Sequence, residues 1–201
     1  MEKIIKFIQI FIFLIITTAF EKQPKEVQKI ISFLNNLETL SSDFIQIDSR
    51  GEILNGKISL QKPSRFRIEY DEPNNQLIIC DGSKIALINK KLKSFTTYSM
   101  KDTPLNFFLI NKITSENFKI IKFKKKDNIL IIQIINNLAE DIGQVKLVFE
   151  EKPFQLKKWV LYNKNGSVTS ITLDDLYINR QIDKKEFEII DPQDKIFIEK
   201  F

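Results

Sequence analysis

The sequence predicts a mostly β protein with a small α-helical part. The first observation is a series of short apolar runs, about ten residues apart and separated by turn-forming residues, which is typical of antiparallel hairpins. The second is that only two segments have helical periodicity, too few to cover both faces of a parallel sheet. The third is that several of the runs are apolar on both faces.

The first predicted helix begins at Pro24, a residue that suits a first helical position. Its apolar residues recur at helical spacing: Val27, Ile30, Ile31, Leu34 and Leu37. We expect Leu40 to close this segment. The opposite side is polar, so the helix is amphipathic and must bury one stripe.

The second predicted helix runs from about Thr103 to Ile110, with Pro104 at its start. Its residues after Pro104 are almost all apolar. A helix of this composition cannot lie free in water, so we expect it to pack into apolar surroundings.

The strands follow from alternating or continuous apolar runs bounded by Asn, Asp, Gly, Lys and Pro. The predicted strands are 57–61, 65–70, 77–80, 84–89, 94–98, 118–123, 129–135, 145–149, 156–162, 168–173, 176–179 and 187–190.

Two architectures are compatible with strands that are apolar on both faces. In the 129–135 run only Gln133 is polar. In the 156–162 run Trp159 lies on one face of the strand and Val160 on the other, so both faces are apolar. A sandwich or closed barrel would bury one face and leave spare apolar surface. A large curved sheet would instead enclose a hydrophobic cavity, covered by the two helices. The pattern alone does not decide between them.

The N-terminus predicts an export signal. Lys3 and Lys6 precede an apolar stretch over 7–16 that only Gln9 interrupts, and small residues at 17–19 suit cleavage before Phe20. The apolar core is shorter than the roughly 20 residues needed to span a bilayer. We therefore predict a signal peptide over 1–19 and a single domain over 20–201.

Composition excludes several kinds of chemistry. The 201 residues include no His and one Cys, so a Ser-His-Asp relay, a His metal ligand and an internal disulfide are excluded. We expect no cofactor and no metal. Cys80 lies inside an apolar run and is predicted to be a small core residue.

The net charge is +5, and 27 of the 31 basic residues are Lys. This bias is typical of an AT-rich genome. Nucleic-acid binding prefers Arg forks and clustered charge, so we do not expect it. The densest basic run, 119–126, alternates with Ile and Phe as in a half-buried strand. Mild attraction to an anionic membrane surface fits this composition better.

A series of motifs between residues 42 and 109 carries a resemblance to a known family. They are Asp43-Phe44-Ile45-Gln46, Gly56-Lys57-Ile58-Ser59-Leu60, Lys62-Pro63-Ser64-Arg65-Phe66-Arg67-Ile68-Glu69-Tyr70, Pro73, Asp81-Gly82-Ser83-Lys84 and Thr103-Pro104-Leu105. In this order and spacing the chain resembles the periplasmic outer-membrane lipoprotein carriers of the LolA type. Their chains also begin with a signal peptide and an amphipathic helix.

The resemblance implies an unclosed antiparallel β-barrel, that is, a strongly curved sheet, with a helical lid over a hydrophobic cavity. It implies a periplasmic chaperone, not an enzyme, that binds the acyl chains of lipoproteins. An inner-membrane ABC transporter would release this cargo and an outer-membrane receptor would accept it. We expect a monomer. The residues that we expect at the lid and cavity are Ile30, Leu34, Phe66, Ile68, Tyr70, Leu105, Phe107, Phe108 and Leu109.

One position departs from the family pattern. The family often has Arg directly before the proline, where it hydrogen-bonds the lid, and this chain has Lys62. Lysine lacks the planar fork of arginine and is a weaker bidentate clamp. Arg65 or Arg67 could substitute, although strand alternation places both on the face opposite to Phe66.

Other classes of function stay open at this point. A related open barrel would bind free lipid or sense lipoproteins, and a structural envelope domain would have a packed interior. A secreted enzyme would need a carboxylate pair or a Ser-Lys site. The visible pairs, Glu150-Glu151 and Asp174-Asp175, are typical of solvated turn charges.

Overall fold

The computed structural model of the protein describes residues 23–99, 109–114, 116–136 and 142–191. In these ranges the elements are one long helix, eleven strands and a 3₁₀ helix. Their bounds are α1 Lys25–Asn36, β1 Thr39–Asp48, β2 Ile53–Gln61, β3 Arg65–Tyr70, β4 Gln76–Asp81, β5 Lys84–Asn89, β6 Ser94–Ser99, β7 Phe118–Lys126, β8 Ile129–Asn136, β9 Ile142–Glu151, β10 Phe154–Asn163, β11 Val168–Ile178 and the 3₁₀ helix Lys184–Phe187. The predicted signal peptide and most of the predicted second helix lie outside the described residues.

All eleven strands form one antiparallel sheet, in the order β6-β5-β4-β3-β2-β1-β11-β10-β9-β8-β7. Each strand pairs with its sequence neighbour except at the centre, where β1 pairs with β11. Strands β6 and β7 form the two edges, so the sheet is not closed into a barrel. The predicted open antiparallel sheet is confirmed, and the sandwich is excluded.

The sheet is strongly curved. Leu87 of β5 and Leu161 of β10 line one cavity of about 450 Å³, although six strand spacings separate their strands. At about 4.8 Å per spacing, a flat sheet would hold these two strands about 29 Å apart. The sheet must therefore bend around its concave face.

Helix α1 packs on the half of the concave face that β7–β10 form. Val27, Ile30 and Leu34 are buried at one helical face. The Phe33 ring meets the Phe149 ring edge-on at 5.4 Å, and the Lys29 ammonium lies 4.2 Å from the centre of the Phe154 ring. The amphipathic stripe predicted for this helix is thus buried against the sheet.

Polar contacts hold both ends of α1. Lys125 of β7 lies 3.0 Å from the carboxylate of Glu26 and 2.6 Å from that of Glu151, which ties the first helical turn to β7 and β9. At the other end, Asn179 donates a hydrogen bond to the carbonyl of Asn36. This bond satisfies one of the carbonyl groups that a helix end leaves without a partner.

Three sequence predictions of elements were wrong. Leu40 belongs to β1 and not to α1, because the alternation with Ser42 and Phe44 continues the strand. The runs at 168–173 and 176–179 form one strand, β11, in which the pairing with β1 shifts register near Asp174 and Asp175 takes a positive φ of 47°. A β-bulge therefore absorbs the acidic pair that resembled a turn.

The 187–190 run is not a strand. Residues 184–187 form a 3₁₀ helix, which Asp183 caps by accepting a hydrogen bond from the Lys185 amide. Ile189 packs over a small outer-face cluster of Leu77, Ile79, Ala86 and Ile88, and Phe187 is buried in the 3₁₀ helix that contacts β3 and β4. The apolar residues of this run cover the sheet instead of extending it.

The interior agrees with two smaller predictions. Cys80 is fully buried, and burial raises the pKa of its thiol, as expected for a core residue. Leu130, Ile132 and Ile134 of β8 are buried, while Ile129, Ile131 and Ile135 on the other face are only half-buried. In the ranges given above, no helix combines the length and the apolar character needed to cross a bilayer.

Gly56 in β2 allows β2 and β3 to pair closely. A Cβ atom there would lie 2.2 Å from the carbonyl oxygen of Glu69. We predict that Gly56→Ala destabilises the protein by about 1–3 kcal/mol, because the backbone must shift. Urea unfolding measures this loss, with Ser59→Ala in the same strand as the control. Equal stability of the two variants would contradict the prediction.

Candidate functional site: an apolar cavity in the concave face

The cavity of about 450 Å³ lies on the concave face of the part of the sheet that β1–β6, β10 and β11 form. Apolar side chains dominate its wall, and a few polar groups accompany them. The lining residues are Phe44, Gln46, Ile58, Phe66, Ile68, Tyr70, Ile78, Ile85, Leu87, Tyr98, Ser99, Trp159, Leu161, Thr169 and Ile171.

Strand alternation places these residues on one wall. Successive side chains in a strand point to opposite faces, so Phe66, Ile68 and Tyr70 of β3 share the concave face. The register carries the same face to Ile58 of β2 and Ile78 of β4, which both lie opposite Ile68. Each of these strands therefore contributes one to three residues to a continuous apolar surface.

One polar pair lies within this wall. The Tyr70 hydroxyl donates a hydrogen bond to Oε1 of Gln46 at 3.0 Å, and the Tyr70 ring meets the Phe44 ring edge-on at 5.5 Å. Burial raises the pKa of Tyr70 above its ordinary value. Gly56 of β2 pairs with Phe44 of β1 on one side and with Tyr70 of β3 on the other, and it has no side chain to separate the two rings.

The predicted cavity residues fall into three groups. Phe66, Ile68 and Tyr70 line the cavity. Ile30 and Leu34, which are 0% and 2% exposed, belong to the packed core beneath α1 and are not among the lining residues. They hold the helix against the sheet.

The third group comprises the residues of the predicted lid. Leu105, Phe107 and Phe108 lie outside the described residues. Leu109 is described, is 1% exposed and belongs to the same core cluster as α1. The chain just after it is tied to α1, because the Asn35 side chain accepts a hydrogen bond from the Ile113 amide at 2.7 Å.

Most of the cavity wall was missed at the level of the sequence. The missed residues include Phe44, Gln46, Ile58, Ile78, Ile85, Leu87, Trp159, Leu161 and Ile171. Strand alternation could have identified them, if each strand's residues had been assigned to the same face as Phe66 or to the opposite one. That assignment needs the pairing of β1 with β11, which brings Ile171 opposite both Gln46 and Trp159.

Lys62 contacts helix α1. Its Nζ donates a hydrogen bond of 2.7 Å to the carbonyl oxygen of Leu34, in the last turn of the helix. A cation at this position also interacts favourably with the negative end of the helix dipole. Partial burial lowers the pKa of the Lys62 ammonium.

Arg65 and Arg67 have other partners and do not take over the contact with the helix. Arg65 donates to the carbonyl of Asp81, and Arg67 pairs with the Glu69 carboxylate at 2.7 Å. Arg67 also reaches the carbonyl of Glu186, in the 3₁₀ helix on the outer face. The predicted lid over 103–108 lies outside the described residues, so a contact of either arginine with the lid stays a prediction.

Across the described ranges, no three His, Cys, Asp or Glu side chains are grouped so that they could hold a metal ion. What the wall offers a ligand is apolar area, and burial of apolar area gives non-directional affinity with little demand on ligand shape.

The fold and the site define a class: open, strongly curved antiparallel sheets that enclose an apolar cavity. Two solved structures share this fold, a putative outer membrane lipoprotein-sorting protein domain from Vibrio parahaemolyticus and an uncharacterized conserved protein from Thermus thermophilus. The first has a TM-score of 0.50 and 9% identity and covers 81% of this chain and 95% of its own. The second has a TM-score of 0.51 and 7% identity and covers 84% and 96%.

The family is shown by sequence. The family model described as outer membrane lipoprotein carrier protein LolA matches residues 35–190, so the chain belongs to this family. An outer-membrane lipoprotein carrier protein of Methylobacillus flagellatus is 27% identical over 175 residues, which are 83% of this chain and 85% of the relative. The carrier of Pseudomonas aeruginosa is 28% identical over 172 residues, 80% and 81% of the two chains.

We predict that Lys62→Met loosens the end of α1 and costs about 1 kcal/mol of unfolding free energy, because the Leu34 carbonyl loses its donor. A pH signature accompanies this loss. Since burial lowers the Lys62 pKa, the unfolded chain binds more protons between the lowered pKa and about 10.4, so this residue makes stability rise with pH in that window.

Urea unfolding of both proteins at several pH values measures this signature. The Met variant should lack the rise, whereas Lys62→Arg should keep the bond to Leu34 and the stability at neutral pH. A wild-type curve parallel to that of the Met variant across the window would contradict the assignment.

Proposed function

We propose that this protein binds the acyl chains of lipoproteins released from the inner membrane and carries them across the periplasm to an outer-membrane receptor. Membership of the carrier family and the carrier names of its relatives support the general role. The observation that carries the proposal is the apolar cavity on the concave face, where isoleucine and aromatic side chains dominate the wall.

The energetic demand on such a carrier is set by the acyl chain. Sheltering a methylene group from water is worth about 0.8 kcal/mol, so a chain that shelters about a dozen of them gains about 10 kcal/mol. An apolar cavity can supply this affinity without directional contacts. Release then requires a receptor that offers a comparable apolar surface, with the energy supplied upstream at the transporter.

The lid is the second part of the proposal. The apolar helix predicted over Thr103–Ile110 would cover the cavity when empty and move aside for acyl chains through Leu105, Phe107 and Phe108. Leu109 is buried in the core, and Asn35 of α1 binds the following chain at Ile113. These contacts support a lid that is anchored at its C-terminal end and moves at the other.

Lys62 takes the place of the family arginine in this scheme. Its single bond to the Leu34 carbonyl holds α1 without the planar fork of arginine. We propose that the contact biases the protein towards the closed form and breaks more easily than an arginine contact would.

The location and the state of assembly complete the proposal. Residues 1–19 would direct export and be removed, and the domain over 20–201 would act as a monomer in the periplasm. The inner-membrane ABC transporter and the outer-membrane receptor would be its successive partners. No cofactor takes part in a transfer between apolar surfaces.

Ile78→Glu tests the cavity. Ile78 is a half-buried lining residue, and a carboxylate there would lack a partner in apolar surroundings. We predict at least about a tenfold loss of affinity for a fluorescent fatty-acyl probe and loss of lipoprotein co-purification. Thermal melting followed by circular dichroism checks that the variant is folded.

Ile45→Glu is the matched control. Ile45 is the same residue type on the opposite face of the sheet and is 46% exposed. This variant should bind the probe as the wild type does. Undiminished binding by the Ile78 variant, or an equal loss in both variants, would overturn the proposed site.

A further inference from the structure

Strand β7 carries a row of lysines along the outer face of the sheet. Lys119, Lys122, Lys124 and Lys126 are all exposed, and they lie on an edge strand. A register shift after Ile120 brings all four to the face opposite the buried core. At about 3.3 Å per residue, the row is about 23 Å long.

The same face stays basic in the neighbouring strands. Gln133 of β8 pairs with Lys122 on one side and with Lys146 of β9 on the other. On the same face, Lys158 of β10 pairs with Val148 of β9. Among the strand residues of β7–β10, the acid on this face is Glu150, which pairs with Ile129 of β8. Six lysines thus share the face with one glutamate.

This segregation is not a general property of the surface. Elsewhere on the sheet bases meet acids: Lys57 lies 3.9 Å from Asp43, and Glu69 pairs with both Arg67 and Lys90. In the described part of the chain, no ion pair joins the four β7 lysines to an acid. Among these residues, the positive charge of the four lysines is not paired with an acid, so it can attract an anionic partner.

Apolar side chains alternate with this charge. Ile135, Ile131 and Ile129 of β8 lie directly opposite Lys119, Lys124 and Lys126, and all three are half-buried. Lysine stems can lie along such apolar surface while the ammonium groups extend to water or to a phosphate. The face combines spread positive charge with shallow apolar contact.

We propose that the outer face of β7–β10 is a docking surface for an anionic phospholipid bilayer. The face is convex, so it suits a broad surface better than a peptide. Lysines act as point charges and need no fixed partner geometry, which suits mobile phosphate groups. The half-buried isoleucines match the boundary between headgroups and acyl chains.

This surface is separate from the cavity, and the inference does not rest on the proposed function. It would keep the protein close to a membrane through contacts that salt screens. Each lysine near an anionic surface contributes about fivefold in affinity. Several together give reversible binding that leaves the concave face free.

The test is co-sedimentation of the full mature chain with vesicles. We expect binding to phosphatidylcholine vesicles that contain about 30 mol% phosphatidylglycerol, and none to pure phosphatidylcholine. Binding should be strong at about 50 mM salt and at least tenfold weaker at about 500 mM. Equal binding to both vesicle types would overturn the proposal.

Lys122→Glu combined with Lys124→Glu should weaken binding to the anionic vesicles by about 25-fold or more. The control, Lys184→Glu combined with Lys185→Glu, makes the same change of net charge on exposed residues of the 3₁₀ helix over β3 and β4. This control should weaken vesicle binding by less than a third of the factor expected for the β7 variant. An equal loss in both would overturn the site. Binding to polyglutamate without vesicle binding would overturn the lipid assignment in favour of an acidic protein.

Discussion

The structure depends on one constraint: helix α1 is too small for the apolar face that it packs against. Its 12 residues make a helix about 18 Å long, whereas ten strand spacings amount to about 48 Å of sheet. The helix packs on the concave face over β7–β10, where Phe33 meets the stacked rings of Phe149 and Phe154 edge-on. Over β1–β6 the wall is also mostly apolar but encloses a cavity. Curvature shelters this surface without filling it.

The pairing of β1 with β11 makes this arrangement possible. It joins two meanders, β1–β6 and β7–β11, into one sheet and sets the packed half beside the open half. Polar contacts fix both ends of α1: Lys125 holds its first turn, and Lys62 and Asn179 hold its last. A helix fixed in this way leaves the shape of the cavity to the strands.

Local sequence patterns predicted most helices and strands. The cavity wall was harder to predict, because it depends on pairing between strands that are far apart in the sequence. The stripe of α1 and the alternation of β3 were readable because each residue's face depends on its near neighbours. The sequence misled where a local signal had another cause: the Asp174-Asp175 pair marks a bulge, and Phe187 belongs to a 3₁₀ helix that covers the sheet. Of the cavity wall, only the part on β3 was predicted. Trp159 and Ile171 join the cavity wall because β1 pairs with β11. The sequence of neither strand alone predicts that pairing.

The central claim is that the cavity holds the acyl chains of a lipoprotein. Native mass spectrometry of the protein isolated from the cell envelope, with dissociation of the bound species, tests it most directly. We predict a one-to-one complex that releases diacylglyceryl-modified polypeptides. Protein that carries only free phospholipid or fatty acid, or that stays without acyl cargo when lipoproteins are supplied in excess, would contradict it.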